Sequence, residues 1–176
     1  MRKKSWGKKA MGVGQVFIFI IAGITFALIM IFGYKAINDF IIKGETVEFV
    51  QFKTDLEGSV QKIFSEYGAL RIESFRVPSK YEKVCFVDMD YPEKDIDALC
   101  EENAVACDLW EDVENNAGGY DSVDENVFLT PIAPVPIKVH SIRMDEGFLC
   151  LDVKGGHFKI VLEGKGDHTF LSLPDN

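Results

Sequence analysis

The hydrophobic pattern opens on an unbroken run. From Met11 to Gly33, twenty-three residues carry no charge, and the polar side chains among them are Gln15 and Thr25. A hydrocarbon layer of about 30 Å needs roughly twenty apolar residues in helical form, so this run is long enough to cross it. No face of it is polar, which sets it apart from a buried helix of a soluble domain. A secretory signal has a shorter apolar region, about 7–15 residues, and then a small-x-small cleavage site. Beyond Phe32 stands Gly-Tyr-Lys-Ala-Ile-Asn, which offers no such site, so the pattern predicts a retained transmembrane helix over 11–33.

The period then changes. Tyr34 to Lys43 continues at helical spacing with Ile37, Phe40 and Ile41 on one face, and Gly44 weakens it, so 34–45 reads as a juxtamembrane helix or linker. Val47 to Phe52 leans to strand. Thr54-Asp-Leu-Glu57 is a capping-box pattern that predicts a fresh helix start, with Leu56, Val60, Ile63, Phe64 and Tyr67 as its apolar stripe and Gly68 as its stop. Leu70 to Val77 alternates as a strand before Pro78, and Lys83 to Val87 is a second short strand. Asp95 to Val113 predicts one helix with Ile96, Leu99, Ala106, Leu109, Trp110 and Val113 inward. Asn115 to Glu125 is a turn-rich loop, and Thr130 to Pro136, with three prolines, is a stiff connector. Four further strands are expected at Ile137–Arg143, Phe148–Val153, Phe158–Glu163 and Thr169–Leu173. The turns between them, Asp145-Glu-Gly147, Gly155-Gly156 and Gly164-Lys-Gly-Asp167, are short enough to predict an antiparallel meander. The fold class expected is α+β: an N-terminal transmembrane helix, then a small antiparallel sheet over 46–176 packed with one or two helices.

Charge adds an address. The chain carries a net −9, distributed unevenly. Between Asp88 and Glu125 stand fourteen acidic residues and one basic residue, Lys94, which makes 88–125 an acidic insertion of −13 and leaves +4 for the rest. This balance argues against nucleic acid as a partner, since phosphate binding needs a concentrated positive surface. Arg2, Lys3, Lys4, Lys8 and Lys9 precede the apolar run with no acid among them. Basic flanks are retained on the inner side, so residues 1–10 are expected in the cytoplasm and the domain beyond the span outside.

The front edge of the run, Lys9-Ala10 ahead of Met11-Gly-Val-Gly-Gln15-Val-Phe17, resembles the class III signal of archaeal pilin-like proteins. That resemblance covers about 25 residues and implies cleavage after Ala10 by a membrane peptidase, with the apolar helix kept on a mature chain that begins at Met11. A cut after Gly14 is the alternative, without a basic residue immediately before it. Many pilins carry Glu at the fifth mature position to pair with a neighbouring subunit's free amine. Gln15 stands there in this chain, able to accept a hydrogen bond but unable to neutralise a buried charge. A pilin stem would also run on unbroken for several more turns than Gly44 suggests. The run GQVFIFIIAGI…FGYKAI followed by a small β-rich domain also looks like a broad group of uncharacterised archaeal single-pass membrane proteins, which implies an address and a shape.

Candidate chemistry beyond this is sparse. Cys85, Cys100, Cys107 and Cys150 all follow the span, where an oxidising compartment favours disulfides. Cys85 and Cys150 each sit in an apolar strand, so Cys85–Cys150 with Cys100–Cys107 is favoured among three pairings; a zinc site lacks C-x₂-C spacing, and buried thiols are the remaining alternative. On a continuous helix, residues seven apart lie about 10.5 Å apart along the axis, so the short bridge requires a helix break near Glu101 to Asn103. The stretch Asp88 to Asp97 fails as an EF-hand, because loop positions 6 and 12 are Glu93 and Leu99; Asp88, Asp90, Asp121 and Asp124 remain weak calcium candidates. His140, His157 and His168 lack metal spacing, the Gly pairs read as hairpin turns, and no nucleophile motif occurs. No cofactor and no catalytic residue are expected. The expected function is a membrane-anchored extracytoplasmic domain with a structural or interaction role, its partners the lipid bilayer and other envelope proteins or copies of itself. A pilin-like subunit assembled through its apolar helix is the alternative.

Overall fold

Helix α1 runs without interruption from Val13 to Phe64. The computed structural model describes residues 13–92, 96–116 and 118–174, and the chain divides into two compact units between Gly44 and Glu45. In the first unit the helix is exposed and apolar from Val16 to Phe32. In the second, Phe49, Phe52, Leu56, Val60 and Ile63 recur at helical spacing and are all buried.

That stripe corrects the expected strand over Val47 to Phe52 and the expected helix start at Thr54. Fully burying an aliphatic or aromatic side chain is worth about 1.5–3 kcal/mol, whereas Gly44 inside a helix costs about 1 kcal/mol relative to alanine. The helical register buries five large side chains and outweighs the weak glycine. Thr54 is therefore mid-helix, and its Oγ1 donates to the Val50 carbonyl at 2.9 Å instead of capping. Glu57 pairs with Lys53 at 3.8 Å, one turn back. At the far end the stripe stops short of the expectation: Phe64 is half-buried and Tyr67, beyond the helix, is 83% exposed.

The second unit is α+β. Strand β1 covers Leu70–Arg76 and β2 Lys83–Val87. Helices α2 (Ile96–Glu102) and α3 (Ala104–Asn115) follow, then a 3₁₀ turn at Tyr120–Ser122. Strands β3 (Val127–Thr130), β4 (Ile142–Arg143), β5 (Phe148–Asp152), β6 (His157–Gly164) and β7 (Thr169–Ser172) complete it. They form two sheets, ordered β1-β6-β7-β4 and β3-β2-β5.

The C-terminal strands do not make the expected meander. Among the described residues, β6 and β7 alone of these four strands pair as sequence neighbours; β5 pairs with β2, and β4 pairs with β7 in parallel. Gly155 and Gly156, with φ of 61° and 76°, do form a tight turn, closed by a bridge between Lys154 and His157. The strands then part. Residues Val84 to Val87 of β2 are all buried, so β2 needs neighbours on both edges and layers on both faces. It takes β3 on one edge and β5 on the other, while β1 takes β6.

The expected strand Ile137–Arg143 survives only at its last two residues. Upstream, the backbone groups of Val139 are satisfied by a side chain. The Asn126 carboxamide, 1% exposed, donates to the Val139 carbonyl at 3.1 Å and accepts from its N–H at 2.8 Å. The Ile137 carbonyl takes the N–H groups of Asn126 and Val127. An amide group standing in for a strand leaves no regular ladder there.

Period-2 alternation then separates two cores. Val84, Phe86, Val127, Leu129 and Leu151 face the α1 stripe together with Phe75, Phe158, Ile160, Leu162 and Leu171 of the other sheet. The opposite face, Cys85, Val87 and Phe128, meets Leu99 of α2 and Ala106, Trp110 and Val113 of α3. The acidic segment is thus also the cover of a sheet face.

Candidate functional site

The first unit presents one chemical surface. Along α1, Val16 to Phe32 is exposed throughout, with Phe17, Phe19, Phe26 and Phe32 each about two-thirds exposed at 64%, 65%, 66% and 66%. The segment is long and apolar enough to cross a membrane, and none of it is buried within the protein. Its two polar side chains behave differently. Thr25 Oγ1 lies 2.9 and 3.0 Å from the carbonyls of Ile21 and Ala22, so its hydroxyl is satisfied within the helix. Gln15 is exposed, and among the described residues its carboxamide has no hydrogen-bond partner. Lys9, Ala10 and Met11, the processing-site candidates, lie outside the described residues.

The cysteines stand in two bonded pairs, Cys85–Cys150 and Cys100–Cys107. Cys85 and Cys150 are directly opposite on β2 and β5, with Cα atoms 4.0 Å apart. The second pair has its Cα atoms 4.9 Å apart, which one straight helix forbids. The expected single helix over 95–113 is accordingly two, and it breaks at Asn103, inside the window the bridge demands. Asn103 is extended (φ −155°, ψ 105°) and caps α3, its Oδ1 accepting from the Ala106 N–H at 3.0 Å. Its Nδ2 donates to Thr130 Oγ1 at 3.3 Å, tying the break to β3. Glu111 lies near the Cys100 and Cys107 sulfurs, but sulfurs joined to each other are not thiolate ligands.

The weak calcium candidates are not brought together. Among the described residues, no three of Asp88, Asp90, Asp121 and Asp124 place carboxylate oxygens within 4.8 Å of one another. Asp88 is buried and its Oδ1 accepts from the Asp90 N–H at 3.0 Å; Asp90 Oδ1 accepts from the Tyr120 N–H at 2.9 Å. These two carboxylates fasten loops. Asp121 and Asp124 are exposed. The histidines are equally local: His140 packs on Phe64 with ring centres 4.0 Å apart, His157 Nδ1 lies 3.0 Å from the Gly155 carbonyl, and His168 Nδ1 lies 2.7 Å from Asp167 Oδ1. The Asp167 carboxyl is held below its ordinary value mainly by that hydrogen bond.

One carboxylate of the acidic segment is out of step. Half-burial of Glu125, and secondarily the charge on Asp124, push its pKa up. A carboxyl whose pKa is higher folded than unfolded costs stability once it ionises. The cost is absent below ~4, where both states are protonated, and sets in as pH rises past the ordinary value. Glu125→Gln is therefore expected to stabilise the domain near neutral pH and to leave it unchanged in acid; denaturation midpoints at both pH values check this, and equal midpoints at neutral pH contradict it.

A cleft of about 700 Å³ opens in the second unit where β5 and β6 part, lined by Lys83, Glu102, Asp152, Lys154, His157 and Lys159 among others. Lys83 is bound to Glu102, whose carboxylate holds its ammonium above the ordinary lysine value. A smaller cavity of about 450 Å³ lies between Asp88, Asp90, Arg143, Asp145 and His168. Sequence reasoning had no signal for either: the first brings Ser74, Lys83 and Glu102 to the segment 150–159, and the second joins three separate segments. Set against protein-family models, curated proteins and solved structures, the chain matches none.

Proposed function

We propose that the chain is a membrane-embedded structural subunit, held in the bilayer and joined to copies of itself through the apolar half of α1. Residues 1–10 are cytoplasmic in this reading and the α+β unit lies outside. The observation that carries it is the single helix from Val13 to Phe64. An unbroken stem is the feature that distinguishes a pilin-like subunit from a tethered domain, and here exposed apolar residues pass directly into the buried stripe that anchors the sheets. Gln15 supports the same reading, because an amide without a partner in hydrocarbon is relieved by a hydrogen bond to a neighbouring helix.

Processing after Ala10 belongs to this proposal and is tested by N-terminal sequencing and intact mass of the chain taken from membranes. A start at Met11 is the expected result. Gln15→Leu is expected to leave membrane insertion intact and to lower the assembled fraction. A membrane hydrogen bond is worth about 0.6–1.7 kcal/mol, so the loss is about three- to eighteen-fold. Cross-linking in membranes measures it. A chain that keeps residues 1–10, with assembly indifferent to Gln15→Leu, overturns the proposal in favour of an anchored domain that meets other envelope proteins.

A further inference from the structure

The cleft between β5 and β6 sets three lysines, Lys83, Lys154 and Lys159, against two carboxylates, Glu102 and Asp152, a net positive lining in a chain of net −9. Lys83 is already matched by Glu102. Lys154 and Lys159 are exposed, and among the described residues neither makes an ion pair. His157 stands between them in sequence and is also exposed. Beyond the Lys83–Glu102 pair the cleft thus holds two lysines outside any ion pair against one carboxylate, Asp152, with Lys154 beside the Gly155-Gly156 turn and Lys159 on β6 opposite Ser74.

The same chain carries the complement. Helix α3 buries Ala106, Trp110 and Val113 and turns Asp108, Glu111 and Asp112 outward. Asp108 lies at i,i+3 and i,i+4 from the other two, so like charges adjoin unfavourably on one face. The last turn contains no basic residue, so Asp112 and Glu114 also sit at the negative end of the helix dipole. Among the described residues none of Asp108, Glu111 and Asp112 has an ion-pair partner. This helix is built against its own electrostatics, and cations from outside would relieve it.

We infer that the acidic face of α3 in one copy docks in the Lys154–Lys159 cleft of a second copy. Both halves of the match are on one chain, so the fitting partner is always present at equal concentration. Complementary charge fixes register and rate more than affinity, and the contact is screened beyond about 10 Å at 0.1 M salt. This contact lies outside the apolar half of α1 and does not rest on the proposal above.

The test uses the full chain in detergent. A carbodiimide, which joins an amine directly to a carboxylate, is applied to a mixture of unlabelled and ¹⁵N-labelled protein. The expected result is mixed-isotope cross-links from Lys154 or Lys159 to Asp108, Glu111 or Asp112, lost at high salt. Lys154→Glu with Lys159→Glu in one chain, and Asp108→Lys with Glu111→Lys in another, are each expected to reduce these cross-links about tenfold, because like charges then face each other. Mixing the two variants restores a matched cleft and helix, and association returns. All four side chains are exposed, and Trp110 fluorescence verifies folding of each variant. Cross-links confined to single copies, or no recovery on mixing, overturn the inference. Loss of assembly by Gln15→Leu with these cross-links retained separates it from the α1 contact.

Discussion

Removing both Cys85 and Cys150 as alanines is expected to cost the domain about 4 kcal/mol, from the loop-entropy relation at a separation of 65 residues. The position of the bridge makes this loss structural. β5 is an edge strand, held to its sheet by the β2 ladder alone, and the disulfide ties the two at their central residues. Cys85 is fully buried, so truncation also leaves a small void. The Cys100–Cys107 bridge closes a loop of only 7 residues, and the same relation gives it about 2.5 kcal/mol. Trp110, buried against the Cys85 face of the sheet, reports denaturant unfolding of both variants. A larger loss for the short bridge than for the long one, or no loss for either, refutes the assignment.

Phe52→Ala is the second large effect, expected to destabilise by about 3–5 kcal/mol. Phe52 is 2% exposed and meets Phe158 edge-on with ring centres 6.1 Å apart. Phe158 in turn touches Phe75 and Phe86, so one ring links α1 to both sheets. Its neighbour Val50 supplies the control. In a strand, residues 50 and 52 share a face and both are buried; in the helix, 49, 52 and 56 share it, and Val50 is 54% exposed. Val50→Ala is therefore expected to change stability by less than about 0.5 kcal/mol. Equal losses at Val50 and Phe52 would mean that this stretch is not helical.

That contrast marks where local reading fails. Val47 to Phe52 is rich in β-branched and aromatic residues, and Thr54 with Glu57 forms a convincing local start signal. Both are short-range preferences of about 1 kcal/mol or less, and the burial of Phe49 and Phe52 overrides them. Strand β3 escaped notice for a different reason. Val127, Phe128 and Leu129 are too few to show a period and stand directly before a proline-rich segment, which hid a short edge strand. The cysteine pairing was legible because strand placement and helix geometry constrain it independently of the rest. The α3 face was legible as acidity, but its relation to Lys154 and Lys159 was not, since those lysines lie forty residues or more away.

What the sequence alone determined is what depends on neighbours along the chain. The apolar run from Met11 to Gly33, the basic tail before it, the α+β class, the helix break near Glu101 to Asn103 that a Cys100–Cys107 bridge would require, and most strand positions follow from local periodicity, composition and covalent reach. The tertiary structure decided which strands pair, and it did so through burial on both faces of β2, which draws β5 away from its sequence neighbour β6. It also decided that α1 is one helix, because the gain from packing its stripe is collected across both sheets at once. The cleft exists for the same reason: two strands joined by a tight glycine turn belong to different sheets, and the space they leave brings Ser74, Lys83 and Glu102 to the segment 150–159.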